Sequence, residues 1–176
     1  MTTMASLPSI ARLLRPCVAL LALTATACPN ESSTGDTTTT TTSTSSSTET
    51  AACASDPRVQ VYAVGLSATS KDGAITIAFV DADPAPPAKG NNTWTVKLTD
   101  AGGNPVTGAA IETTAYMPDH GHTSPIKPTA TEQSDAGTYE VTPVSLFMPG
   151  VWEVTLTVTP ASGTATDVTF TFCVAG

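Results

Sequence analysis

The stretch Asp135-Ala136-Gly137-Thr138-Tyr139-Glu140-Val141 has the form D-x-G-x-Y-x-apolar, a polar turn running straight into a strand. Downstream, Thr138 to Val144 reads as that strand, and Val151 to Thr159 carries Trp152, Val154, Leu156 and Val158 in one phase. After the turn Ala161-Ser162-Gly163, a last strand sets Val168, Phe170 and Phe172 inward. Upstream, Thr129 to Gln133 is a short strand and Ala109 to Tyr116 a longer one. Thr93 to Thr99 places Trp94, Val96 and Leu98 on one face; Ala74 to Asp81 sets Ile75, Ile77 and Phe79 against Thr76, Ala78 and Val80. Val59 to Leu66 is the first apolar strand, ended by Ser70-Lys71-Asp72-Gly73. Successive side chains of a strand point to opposite faces, so these alternations describe strands with one buried face, and no stretch keeps a helical period. The linkers are turn-rich: Asp100 to Pro105 is polar, and Asp83 to Gly90 holds prolines that cannot donate to a ladder. About eight antiparallel strands with polar turns predict an all-β sandwich.

The opening stretch sharpens that architecture. In immunoglobulin-like domains a tyrosine at this place hydrogen-bonds back across a strand corner. Tyr139 is the candidate, the alternative being an ordinary strand start with a partly exposed ring. Val141 stands where antibody domains carry their second cysteine, so an inter-sheet disulfide of that type is excluded.

The organisation before the domain is read from composition. Arg12 and Arg15 precede the apolar run Cys17 to Ala27. That run falls short of the roughly 20 residues needed to span a bilayer and has the size of a signal-peptide core. Residues 1–27 are therefore expected to be an export signal. The run ends Ala25-Thr26-Ala27-Cys28. Small residues before a cysteine resemble a bacterial lipobox, which predicts lipidation of Cys28, although Ala25 replaces the usual leucine; ordinary signal-peptidase cleavage is the alternative. Residues 28–52 form the expected linker, mostly Thr and Ser after Cys28, with Glu31, Asp36 and Glu49. Such a segment buries too little apolar surface to offset its ordering entropy, so disorder is expected. Residues 53–176 remain for one domain with its own core.

The chain carries a formal charge of −8. That balance excludes a basic nucleic-acid footprint and suits anionic lipid heads poorly. Cys17 falls in the signal, which leaves Cys53 and Cys173 as a disulfide pair in an oxidising compartment, or else as two free buried thiols.

Chemistry concentrates in Met117-Pro118-Asp119-His120-Gly121-His122 and its echo Phe147-Met148-Pro149-Gly150, which hold both histidines of the chain and two of its four methionines. Thioether and imidazole are soft to borderline donors that suit copper better than magnesium or calcium. His120 and His122, two apart, reach one side of an extended segment. If the two segments fold together, Met117, His120, His122 and Met148 form a copper site; otherwise the methionines cap the core and the histidines are solvated. Ser124, His120 and Asp119 lack a nucleophile elbow, no loop has the oxygen count of a calcium site, and no phosphate loop or haem motif is present. A non-catalytic protein is expected, and Trp94 and Trp152 are read as core.

In order, Gly90-Asn91-Asn92-Thr93, Val96 to Asp100, Gly103 to Ala109, Met117 to His122, Gly137-Thr138-Tyr139 and Phe147 to Val154 resemble the YtkA-like domain of small exported or membrane-tethered bacterial proteins. The likeness covers roughly Pro84 to Thr159, its specificity lying in order and spacing rather than in any one motif. It implies an immunoglobulin-like sandwich and an association with copper handling, because relatives often sit beside genes for copper transport or respiratory oxidase assembly. Many relatives have a further methionine where Asp119-His120 stand, so the donor set here is harder and leaves Cu(II) open beside Cu(I). The expected role is periplasmic copper binding or delivery, membrane-anchored through Cys28, with a copper transporter or respiratory oxidase assembly protein as partner. The competing role is a metal-free protein-interaction module at the periplasm or surface.

Overall fold

The computed structural model describes residues 53–176. The expected signal (1–27) and the linker with Cys28 (28–52) lie outside the described residues.

Nine strands build two antiparallel sheets: β1 (Ser67–Thr69), β2 (Ile75–Asp83), β3 (Gly90–Asp100), β4 (Ala110–Met117), β5 (His122–Thr123), β6 (Thr129–Glu132), β7 (Thr138–Leu146), β8 (Gly150–Thr159) and β9 (Thr166–Val174). One sheet runs β1-β2-β3-β7-β6 and the other β5-β4-β8-β9. This is the expected sandwich with immunoglobulin-like features. The alternations fall where the sequence placed them. Ile75, Ile77, Phe79, Trp94, Val96 and Leu98 from the first sheet meet Trp152, Val154, Leu156, Val158, Val168, Phe170 and Phe172 from the second in one buried core. Phe79 sits at its centre, with ring centroids 5.1 Å from Trp94 and 4.9 Å from Phe170. The edge-to-face tilt of these rings is the arrangement aromatic quadrupoles favour. Past Phe79 the β2–β3 register shifts. Val80 turns outward while Ala82 is buried, as a bulge allows.

Tyr139 is the corner tyrosine. Its ring is buried, and its hydroxyl donates to the Val106 carbonyl at 3.0 Å and accepts from the Ala109 amide at 3.0 Å. The segment that precedes β4 is thereby stitched to the start of β7. Gly137, two residues earlier, has φ +74, and a Cβ there would stand 2.8 Å from the Leu98 carbonyl oxygen. Only glycine supplies both that conformation and that closeness.

The strand expected over Val59 to Leu66 is a correction. The Gln60 amide donates to the Thr171 carbonyl of β9 at 2.8 Å, and its side-chain oxygen accepts from the Thr171 amide at 2.9 Å. Five residues on, the Gly65 amide donates to the Phe79 carbonyl of β2 and the Phe79 amide to Leu66, at 2.8 and 2.9 Å. The segment crosses from one sheet to the other and keeps a ladder with neither. Tyr62 and Leu66 pack on the core, whereas Val61 and Val64 are 86% and 70% exposed. The short strands β1 and β5 were not anticipated and raise the count to nine.

Cys53 and Cys173 form the expected disulfide, closing a sequence separation of 120 residues with Cα atoms 5.4 Å apart. Such bonds persist in oxidising compartments, in accord with an exported protein. Among the described residues no helix is long and apolar enough to cross a membrane.

Candidate metal centre

The end of β4, the end of β7 and the start of β8 meet at one end of the sandwich. Met117 closes β4, and the chain returns as β5 with Met117 opposite His122 and Tyr116 opposite Thr123. The turn is tied by the Gly121 amide, which donates to the Met117 carbonyl at 2.9 Å, and Gly121 has φ +66. Directly opposed residues of an antiparallel pair share a face, so the pairing puts His122 beside Met117 on the inner side of the sheet. Met117 is fully buried. Its methyl carbon approaches Gly150 so closely that a Cβ there would lie 2.7 Å away. The glycine of Phe147-Met148-Pro149-Gly150 thus makes room for the methionine of the other segment.

His122 lies among aromatic rings. It stacks on Phe147, with centroids 5.5 Å apart and planes tilted by 27°, and meets Trp152 edge-on at 6.1 Å. Trp152 is buried as expected, and its indole N–H donates to the Met148 carbonyl at 2.9 Å. That bond fixes the Met148 turn against the wall that holds His122, and Met148 itself packs, partly buried, on the core. The His122 Nδ1 is buried with no hydrogen-bond partner. An orphaned buried polar nitrogen of this kind carries a desolvation penalty unless something occupies it.

The structure thus gathers Met117, His122 and the Met148 turn about Trp152 and Phe147. His120 is set apart: it is exposed on the turn, its ring centroid 5.9 Å from that of His122. Asp119, beside it, is held by Arg58, whose guanidinium donates to both carboxylate oxygens at 3.0 and 3.1 Å. The same guanidinium grips Asp56 at 2.7 and 2.9 Å. These bonds lower the Asp56 carboxyl to about 2 and raise the guanidinium still further above its usual range. The Ser124 hydroxyl is buried without a partner, so Ser124, His120 and Asp119 do not form a hydrogen-bonded set.

Among the described residues no group of three or more His, Cys, Asp or Glu side chains is placed to hold a metal ion. The donors at this end are thioether sulfur and imidazole, from Met117, Met148 and the histidines. The buried unpartnered Nδ1 next to Met117 fits a soft cation and offers little to a hard one. Sequence reasoning missed two contributors. The aromatic wall had a faint signal in Phe147 and Trp152 flanking Met148; the Arg58–Asp119 pair had none.

Fold and cluster together define an immunoglobulin-like sandwich with soft donors at one end. Residues 69–157 match the family described as YtkA-like. That match spans half of the 176-residue chain, which belongs to the YtkA-like family. The Cys53–Arg58 segment and β9 lie outside the match. No curated protein sequence matches the chain. Solved structures similar to it include a copper-bound variant of FetP from uropathogenic Escherichia coli, at 16% identity and TM-score 0.42, covering 64% of this chain and 95% of that one. Another is the "as isolated" FetP expressed in the E. coli periplasm, at 17% identity and TM-score 0.42, covering 65% and 97%. A likeness at this level bears on neither binding nor activity.

Proposed function

We propose that the chain is an exported, non-catalytic copper-binding or copper-delivery protein, anchored to a membrane through lipidated Cys28, with copper as its cargo. The observation that carries this reading is the buried, unpartnered His122 Nδ1 set opposite Met117 in a hairpin of a YtkA-like domain. Met117 and His122 would form the inner part of the site. Met148 would close it from the other segment, and exposed His120 would engage the metal at the rim. Thioether and imidazole supply affinity for soft ions without a fixed charge, which suits a protein that must release its cargo. The recipient would be a copper transporter or a respiratory oxidase assembly protein.

A metal-free interaction module is the second reading. It is favoured by the full burial of Met117 against Gly150, which is also what a core cap does, and by Phe147, 40% exposed at the rim. Copper titration of the full chain against a competing chelator separates the two. Wild type should bind more tightly than micromolar, and His120→Ala/His122→Ala should lose that binding. Equal binding by the double variant, or none by wild type, selects the interaction module. Anchoring is tested separately: Cys28→Ala should move the protein from the membrane to the soluble fraction, and mass spectrometry showing an unmodified Cys28 at the mature N-terminus would exclude lipidation.

A further inference from the structure

Asp119 is a carboxylate adjacent in sequence to His120, in the turn Pro118–Gly121. It is a hard oxygen donor in a group otherwise made of thioether and imidazole. A carboxylate at such a place favours divalent ions twice over. Its oxygen suits zinc and Cu(II) better than Cu(I), and its charge attracts a dication more than a monocation. In this chain it is engaged elsewhere, through both oxygens, by Arg58.

Arg58 is itself held in position. Its guanidinium bonds Asp56 through two nitrogens, and its backbone amide bonds the same carboxylate at 2.9 Å. Asp56 lies in a turn in which its amide donates to the Cys53 carbonyl at 3.2 Å and its carbonyl accepts from Val59 at 3.0 Å. Cys53 is joined to Cys173 of β9, opposite Val151 of β8. A continuous line of restraint thus runs from the rim of the sandwich through the disulfide to Arg58 and on to Asp119. All of it on the Arg58 side lies outside the matched family region, residues 69–157.

We infer that Arg58 is the specificity-determining residue of the cluster: by occupying the Asp119 carboxylate it keeps a hard, charged donor away from Met117, His120 and His122, and so holds the site to Cu(I) against Zn(II) and Cu(II). The inference rests on the copper reading above. Arginine suits the task because its guanidinium, which never loses its charge, can grip Asp56 through Nε and Nη2 and still donate from Nη2 to both oxygens of Asp119. It acts through Asp119 and needs no contact with the metal.

The test is competition titration of the full chain with Cu(I), Cu(II) and Zn(II), for wild type, Arg58→Ala and Arg58→Ala/Asp119→Asn. Arg58 is exposed, so its removal leaves the core intact. Arg58→Ala should bind Zn(II) and Cu(II) about tenfold more tightly, the lower edge of what groups around the ligands contribute, with Cu(I) affinity unchanged. Electron paramagnetic resonance of its Cu(II) complex should show an added oxygen donor. The double variant should return to the wild-type preference. If wild type binds Cu(I) and Arg58→Ala leaves the Zn(II) to Cu(I) ratio unaltered, the inference fails and the copper reading survives. The inference fails in the same way if the gain persists in the double variant. If wild type binds no copper, both fail together.

Discussion

Two tyrosines of this domain should respond oppositely to loss of the same atom. The Tyr139 hydroxyl serves two backbone groups, donating to Val106 and accepting from Ala109. Tyr139→Phe keeps the ring and its packing but strips both partners. A net hydrogen bond stabilises by about 1 kcal/mol, and an abandoned buried group costs about 1–3 kcal/mol. Val106 and Ala109 are only half-buried, so water can reach part of what is lost, and the lower end of that range applies. The expected destabilisation is about 2 kcal/mol, or a fall in Tm of roughly 6–10 °C for a domain of this size. The Tyr62 hydroxyl, in contrast, is buried with no partner. Removing it relieves a desolvated group without orphaning another, so Tyr62→Phe should be neutral or stabilising. Equilibrium urea unfolding of both variants, with unchanged m-values, makes the comparison. A loss below about 0.5 kcal/mol in Tyr139→Phe, within ordinary surface scatter, would refute the corner argument; so would an equal loss in both variants.

Three more outcomes follow from the same contacts. Gly137→Ala must place a methyl 2.8 Å from the Leu98 carbonyl oxygen and from Pro105 Cβ at φ +74, and should lower stability in urea by about 2–4 kcal/mol. Reducing the Cys53–Cys173 bond reopens a loop of 120 residues, so Tm should fall, by up to about 5 kcal/mol of stability in the chain-entropy view, while the far-ultraviolet circular dichroism of the sandwich persists. Stability should fall at both alkaline and acid pH. Burial raises Tyr62, with Asp81 adding to it, and burial raises Tyr139; a raised folded value means stability lost as pH climbs above about 10. Hydrogen bonds from Arg58, Ser70, Asn104 and Lys97 lead in lowering Asp56, Asp72, Asp100 and Asp135; a lowered value means stability present above about 3.9 and lost as pH drops through the folded values. The urea midpoint measured against pH checks both arms.

The sandwich was legible because strand sequences declare a buried face with period two. Trp94, Val96 and Leu98, like Trp152, Val154, Leu156 and Val158, are inward in register with their neighbours, and Tyr139 stands where the turn before it put it. The segment from Val59 to Leu66 misled for a physical reason. Its valines look like a strand, yet Val61 and Val64 face solvent because the segment changes sheets, and sheet membership is set by distant carbonyls at Thr171 and Phe79. The strand β5, only two residues long, is too short for any periodicity. At the candidate site, Met117, His120, His122 and Met148 were visible by residue type alone. Trp152 was rightly read as core, but the same ring also walls His122, and a period cannot express two roles for one side chain. Arg58 and Asp119, 61 residues apart, meet only once the disulfide and the crossing segment exist.

That last pair bears on how the domain divides its work. The exposed edge of a sheet presents unpaired backbone groups that a protein must cover, and here Gln60 covers part of the β9 edge at Thr171. The same segment goes on to bridge the two sheets at Phe79. Its beginning carries the disulfide and the ion pair on the histidine turn. An exposed ion pair alone stabilises by no more than about 1 kcal/mol, too little to explain on grounds of stability a guanidinium shared between two carboxylates. The covalent tie at Cys53 and the edge cover at Gln60 already hold the segment in place. What the Arg58–Asp119 contact adds is therefore local: it fixes the position of one carboxylate beside exposed His120.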